Sequence, residues 1–334
     1  MSKFNHGSER QRVTPDNFPL PAIAVQGDLR IEDVNGFADM QAEAANDGGD
    51  RLDASLASKP EADWPDTFAE LHSQLVSWRH RIALDLGKTV KQAERFVTPI
   101  TDETPNIDPV GSHVGFLHKG STWNEELGRY AGGEETPASR QVALVGEWVT
   151  ARFLHEGNEG DVLQNRFWLP SGELARGNSI LRGEAAHRQN REGIERAKAA
   201  GIDTSQFDVR GNFIYTKTAT EADRAVIRQE LYDYLPQLEA AHRSGEDITV
   251  RQWADAANLL YQSPENKKGS DALTKVYLMI LASRWMQELP LMPSDMDWRA
   301  YTKGRETFVD EVHAKSQGRS IGEIDPYDHN GPLK

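Results

Sequence analysis

Apolar residues recur at helical spacing along much of the chain, most clearly between Thr249 and Glu288. Val250, Trp253, Ala257, Leu260 and Tyr261 share one face, and Thr249 with Gln252 has the form of a capping box, so a helix is expected from Val250 to about Tyr261. Ser263-Pro264 stops it, because the residue before a proline is driven out of the α region. After a polar stretch to Ser270, the residues Leu273, Val276, Tyr277, Ile280, Leu281, either Arg284 or Trp285, and Glu288 mark a second helix, expected from about Asp271 to Glu288 and buried at the centre. Phe68, Leu71, Leu75, Trp78, Ile82 and Leu86 predict another helix with Asp66 as its cap. Further helices are expected over 137–154, 183–201 and 220–242, the last opened by Thr220 and Asp223. Residues 162–182 alternate imperfectly around a Ser171-Gly172 turn, which predicts a β-hairpin with an irregularity at Gly177-Asn178, serving either as a flap or as an edge decoration.

Elsewhere the pattern fades. Residues 1–55 carry scattered Pro, Gly, Asn, Asp and Ser, including Asp47-Gly48-Gly49-Asp50, and read as a disordered arm. A single mainly α domain is expected over 56–320, followed by a tail over 321–334. Between 95 and 136 only Val97-Thr98-Pro99 is distinctive, as an extended segment. His113 and His118 have no partner at metal-ligand spacing, so no metal site is expected.

Composition narrows the class. The 334 residues suffice for a large core, and 27% are charged against 38% apolar, with a mean hydropathy of −0.64. No apolar run reaches the ~20 residues of a membrane helix, so no membrane span is expected. Neither a secretory h-region nor an acylatable glycine is expected at the N-terminus, where Ser2 follows the first Met. The net charge of −14 argues against nucleic acid as a partner. The absence of cysteine excludes disulfides and thiolate chemistry and suits a cytoplasmic protein, or one exported unfolded.

The polar stretch Ser263-Pro264-Glu265-Asn266-Lys267-Lys268-Gly269-Ser270 holds the candidate chemistry. Gly269, Ser270 and Asp271 open a helix whose unpaired N–H groups suit a phosphate, and Lys267 and Lys268 add charge beside them. On spacing alone the leading reading is an ordinary solvated connection with Ser270 or Asp271 as N-cap, and the Asp271 carboxylate competes with any anion.

Set side by side, these pieces resemble the AvrB avirulence family of type III effectors, within the wider Fic/Doc/AvrB (Fido) fold. The likeness is carried by Phe68-Ala69-Glu70-Leu71 with Trp78-Arg79, by Val97-Thr98-Pro99, and by the hairpin around Trp168-Leu169, Gly172 and Asn178. The helix-loop-helix over 249–288, and Glu288-Leu289-Pro290, Asp297, Gly304 and Phe308-Val309, carry it further. It implies a Fido-like helical core with a small β-hairpin flap. It also implies a transferase that moves a sugar, a deoxyhexose such as rhamnose, from a nucleotide-sugar donor to a hydroxyl of a host immune regulator, with no tightly bound cofactor. By that resemblance Asp297 and Thr98 are catalytic, and Lys267, Lys268, Gly269, Ser270 and Tyr215 hold the nucleotide. Tyr215 and Thr216 are the nearest candidates for the family's histidine. Lys268 stands where the family has arginine, which keeps the charge but loses the bidentate fork. Ser263 stands where a Fic motif opens with its histidine base, which argues against AMP transfer by that route. A peptide-binding effector without catalysis and a small-molecule biosynthetic enzyme stay open as alternatives.

Overall fold

The computed structural model describes residues 10–22, 31–111 and 115–324. His113 and the last ten positions of the expected tail lie outside them, as do residues 1–9 and 23–30 of the expected arm. Ten α-helices and six short strands occur among the described residues: α1 (Ile31–Ser58), α2 (Trp64–Asp85), α3 (Val90–Glu94), β1 (Ile107–Pro109), β2 (Thr122–Asn124), β3 (Arg129–Ala131), α4 (Pro137–His155), β4 (Val162–Trp168), β5 (Leu174–Leu181), α5 (Gly183–Ala199), β6 (Tyr215–Lys217), α6 (Glu221–Arg243), α7 (Val250–Gln262), α8 (Ser270–Trp285), α9 (Met296–Thr302) and α10 (Arg305–Ser316). The fold is mainly helical, as the periodicity predicts.

The centre is α8. Every residue from Leu273 to Ser283 is buried, Thr274 and Lys275 included, so the helix is enclosed on all faces rather than along one stripe. Helices α1, α2 and α7 pack around it, and α6, α9 and α10 surround α7. Polar groups caught in this core have partners: the Trp253 indole N–H donates to the Leu278 carbonyl at 2.9 Å, and the Tyr277 hydroxyl donates to the Phe68 carbonyl at 3.1 Å. The fully buried Glu239 accepts from Arg243, Arg284 and Trp285, tying the end of α8 to α6. α8 stops at Trp285, where Met286 turns extended, and Glu288 is exposed beyond it.

One expectation is corrected. Residues 31–55 belong to helix α1, whose Ala38, Ala42, Ala45, Leu52 and Leu56 are buried in the main core, so this part of the arm is ordered. Gly48-Gly49 is a contact point, not a loop: a Cβ on Gly48 would stand 2.5 Å from Ile280 Cδ1, so its absence lets α1 close on α8. The hairpin β4–β5 forms, with its irregularity between Gln164 and Arg166, but it is half of a four-stranded antiparallel sheet of order β1-β6-β5-β4. That sheet and α4 enclose a second core of Val110, Val145, Val149, Phe153, Leu163, Ile180 and Ile214. No helix among the described residues is long and apolar enough to cross a membrane.

Candidate functional site

Proline 264 ends α7, and the chain then takes six residues to enter α8. Thr249 caps α7 as expected, its hydroxyl accepting from Gln252 N–H, while the N-cap of α8 is Gly269 rather than Ser270 or Asp271. Gly269 has φ +83, and a Cβ there would meet Phe96 Cδ1 at 2.5 Å, so both conformation and space demand glycine. The connection is fastened on two sides. Lys267 N–H donates to the Thr98 carbonyl (3.0 Å), Ile100 N–H donates to the Glu265 carbonyl (2.8 Å), and Asn106 Nδ2 donates to the Lys267 carbonyl (3.3 Å). Glu265 reaches back to Arg228 at 2.6 Å and to His72 at 3.3 Å, and these partners hold its carboxyl below the usual range although burial alone would raise it.

The loop borders a cleft of about 330 Å³. Lys267, Lys268, Gly269, Ser270 and Asp271 line one side, Asp297, Trp298 and Tyr301 of α9 another, and Asn178, Thr216 and Asp108 of the sheet a third. The sequence thus placed five of its site residues on one cleft: Asp297, Lys267, Lys268, Gly269 and Ser270. Two do not line it. The Thr98 hydroxyl turns away to the Glu94 carbonyl at 2.7 Å, leaving Thr98 to hold the loop through its main chain. The Tyr215 hydroxyl donates to Asn190 at 3.0 Å and its ring stacks on Phe213, because strand alternation points it to the opposite face from Thr216. Thr216, buried and cleft-lining, is the member of that pair at the site.

The electrostatics of the cleft are divided. Lys267 and Lys268 make no ion pair with any described residue, and desolvation together with nearby arginines lowers both ammonium groups from their ordinary value. Asp271 is occupied elsewhere, accepting from the Tyr261 hydroxyl at 2.9 Å and pairing with the buried Lys275 at 3.0 Å. Burial opposes charge on Lys275, but Asp271 and Asp297 keep it charged, and it also donates to the Ser294 carbonyl at 2.9 Å. Desolvation and the neighbouring Asp271 raise the Asp297 carboxyl to about 8, with Lys275 opposing. A carboxylate freely ionised beside Lys267 and Lys268, the simplest expectation from opposite charges, is therefore not what forms: the cation that acts on Asp297 is Lys275, already paired with Asp271. Among the described residues no three His, Asp or Glu side chains group closely enough to hold a metal ion.

Behind the cleft, Gln262 bridges two elements, accepting from Asn178 N–H and donating to the Ala300 carbonyl, both at 2.8 Å. Asn165 and Asn178 both donate to the Tyr301 carbonyl, at 3.0 and 3.1 Å. This amide cluster sets α9, and so Asp297, against the sheet. The Gly177-Asn178 irregularity was its only trace in the sequence; a Cβ on Gly177 would strike Gln262 Oε1. Compared with known proteins, the sequence matches no family model and no curated protein.

Proposed function

We propose that the chain is a transferase that moves a sugar from a nucleotide-diphosphate donor to a serine or threonine hydroxyl of a protein. The observation that carries this reading is the meeting, in one cleft, of the cationic entry to α8 with a carboxyl whose pKa lies near neutrality. Lys267, Lys268 and the first N–H groups of α8 receive the diphosphate, where positive charge and unpaired donors favour it. The acceptor hydroxyl attacks the anomeric carbon, the bond from that carbon to the diphosphate oxygen breaks, and the nucleoside diphosphate leaves with the electron pair. Asp297 takes the hydroxyl proton, a role for which a pKa close to the working pH is well matched. Asp271 lines the anion side as well, where its carboxylate is held by the Tyr261 hydroxyl and partly offset by Lys275.

The resemblance to the AvrB family supports a deoxyhexose donor and an effector that acts on a host immune regulator. AMP transfer with a Fic-type base is disfavoured, since Ser263 at that position is buried and its hydroxyl donates to the Leu259 carbonyl at 2.7 Å. Calorimetric titration with nucleoside diphosphates tests the donor half of the proposal. Lys268→Ala should weaken binding about tenfold, the worth of one charge-assisted contact, while Asp297→Asn should bind as the wild type does. Absence of nucleotide binding, or an unchanged Lys268→Ala, would refute it.

A further inference from the structure

The sheet wall of the cleft carries hydrogen-bonding groups that the fold leaves unused. Asp108 of β1 and Thr216 of β6 stand directly opposite in the antiparallel register, so their side chains share one face, with Cβ atoms about 5 Å apart, and both line the cleft. Thr216 is only 4% exposed, yet its hydroxyl has no hydrogen-bond partner among the described residues. The Asp108 carboxylate likewise has no hydrogen bond or ion pair there, and Arg95 acts on it from beyond ion-pair distance. The Tyr301 hydroxyl is a third group without a hydrogen bond among the described residues. Tyr301 follows Asp297 by four residues and Trp298 by three, so α9 brings all three to the same cleft from one side. Neighbouring polar groups of the wall are already engaged. Asn106 donates to the Lys267 carbonyl, Thr218 accepts from Asn106 N–H at 3.1 Å, and Asn178 pairs with Asn165 at 2.6 Å and with the Tyr301 carbonyl.

Buried polar groups are normally paired, so a buried hydroxyl that lines a cavity without a partner points to a ligand. The chemistry of the free groups says which kind. An ionised carboxylate only accepts, and its two oxygens suit two neighbouring O–H donors, while hydroxyls both donate and accept. Asp108 and Asp297 disfavour a phosphate against the walls they line, and the cations that attract one stand on the loop. A neutral, hydroxyl-rich ring meets these demands, and an aromatic side chain such as Trp298 beside it suits the apolar face of a pyranose. We propose that Asp108, Thr216 and Tyr301, with Trp298 beside them, form the subsite for the transferred sugar, Asp108 accepting from two vicinal hydroxyls. The donor is then a nucleotide-linked sugar that keeps an unsubstituted vicinal diol. This rests on the nucleotide-sugar reading of the cleft and assigns the residues that read the sugar.

The test is titration calorimetry of the full chain and of Asp108→Asn with UDP, GDP and dTDP and with hexoses linked to each, alongside saturation-transfer NMR with free glucose and rhamnose. Asp108 is exposed and without hydrogen bonds, so the variant should not melt below the wild type. At least one nucleotide sugar should bind about tenfold more tightly than its bare diphosphate, the size of one hydrogen bond to a charged group. Asp108→Asn should erase that gain and leave the bare diphosphate within twofold. If no nucleotide binds while a free hexose gives a saturation signal that Asp108→Asn removes, the sugar subsite stands and the nucleotide reading of the cleft fails. The subsite is overturned if the sugar tightens nothing, if Asp108→Asn leaves the gain intact, or if neither nucleotide sugar nor free hexose binds. A variant that weakens bare diphosphate and nucleotide sugar equally would place Asp108 on the nucleoside and overturn it as well.

Discussion

Asp297 gives the residue scale its sharpest expectations. Its carboxyl is raised from 3.8 to about 8 in the folded chain, so folding favours the neutral form. The stability this contributes is complete below the ordinary carboxylate range and is lost as pH rises through the folded value. Asp297→Asn, which is neutral at every pH, should match the wild type near pH about 4 and melt at a higher temperature above pH about 8. Melting curves across that range check it, and a variant less stable than the wild type at high pH would contradict the assignment. Transfer should show the complementary profile. The wild-type rate should rise as Asp297 ionises, with an apparent pKa near 8, and Asp297→Asn should lose about 10²–10⁴-fold and have no such limb. Asp297 and Lys268 were legible in the sequence because they carry charge at marked positions. The buried amides Asn165, Asn178 and Gln262 were not, since their partners lie 13 to 136 residues away and no spacing connects them.

At the scale of elements, helix starts were read from their caps. Thr249 and Thr220 accept from the N–H three residues on, as expected, and Thr136 does so without having been singled out; Asp66, expected to cap α2, lies inside it, three residues after the N-cap Asp63. The start of α8 was harder, because Gly269 caps it through backbone conformation against Phe96 rather than through a side chain. Gly269→Ala should therefore cost more than the ~1–2 kcal/mol of a left-handed non-glycine residue, since Phe96 must also move. The measurement is a denaturant titration; a loss under about 0.5 kcal/mol would show that the turn does not depend on glycine. Strands β1 and β6, three residues each, were invisible to periodicity, being too short to show alternation, yet they bring Asp108 and Thr216 to the cleft. Tyr215 and Thr216 show the consequence: one residue of register decides which of the two reaches the site.

For the molecule as a whole, α1 separates the two readings of the N-terminal segment. Its Ala and Gly positions lack the large apolar residues that mark a helix in sequence, and their smallness is what allows close packing on α8. Removal of residues 1–58 should therefore abolish cooperative thermal unfolding or lower the melting temperature by well over about 10 °C, because it uncovers the central helix. A truncated chain that melts like the full one would show that α1 does not belong to the core. The same helix α8 that α1 covers lines the cleft at its start and carries Lys275, which acts on Asp297, so core and cleft share one element. The central claim is that this cleft transfers a sugar using Asp297 as base. Intact mass spectrometry tests it most directly, on a library of serine- and threonine-containing peptides incubated with a panel of nucleotide sugars and ATP, with wild type and Asp297→Asn in parallel. A sugar-sized mass increment on hydroxyl-bearing peptides, made by the wild type and missing from Asp297→Asn, is the predicted result; an AMP-sized increment, or transfer by Asp297→Asn at the wild-type rate, would contradict it.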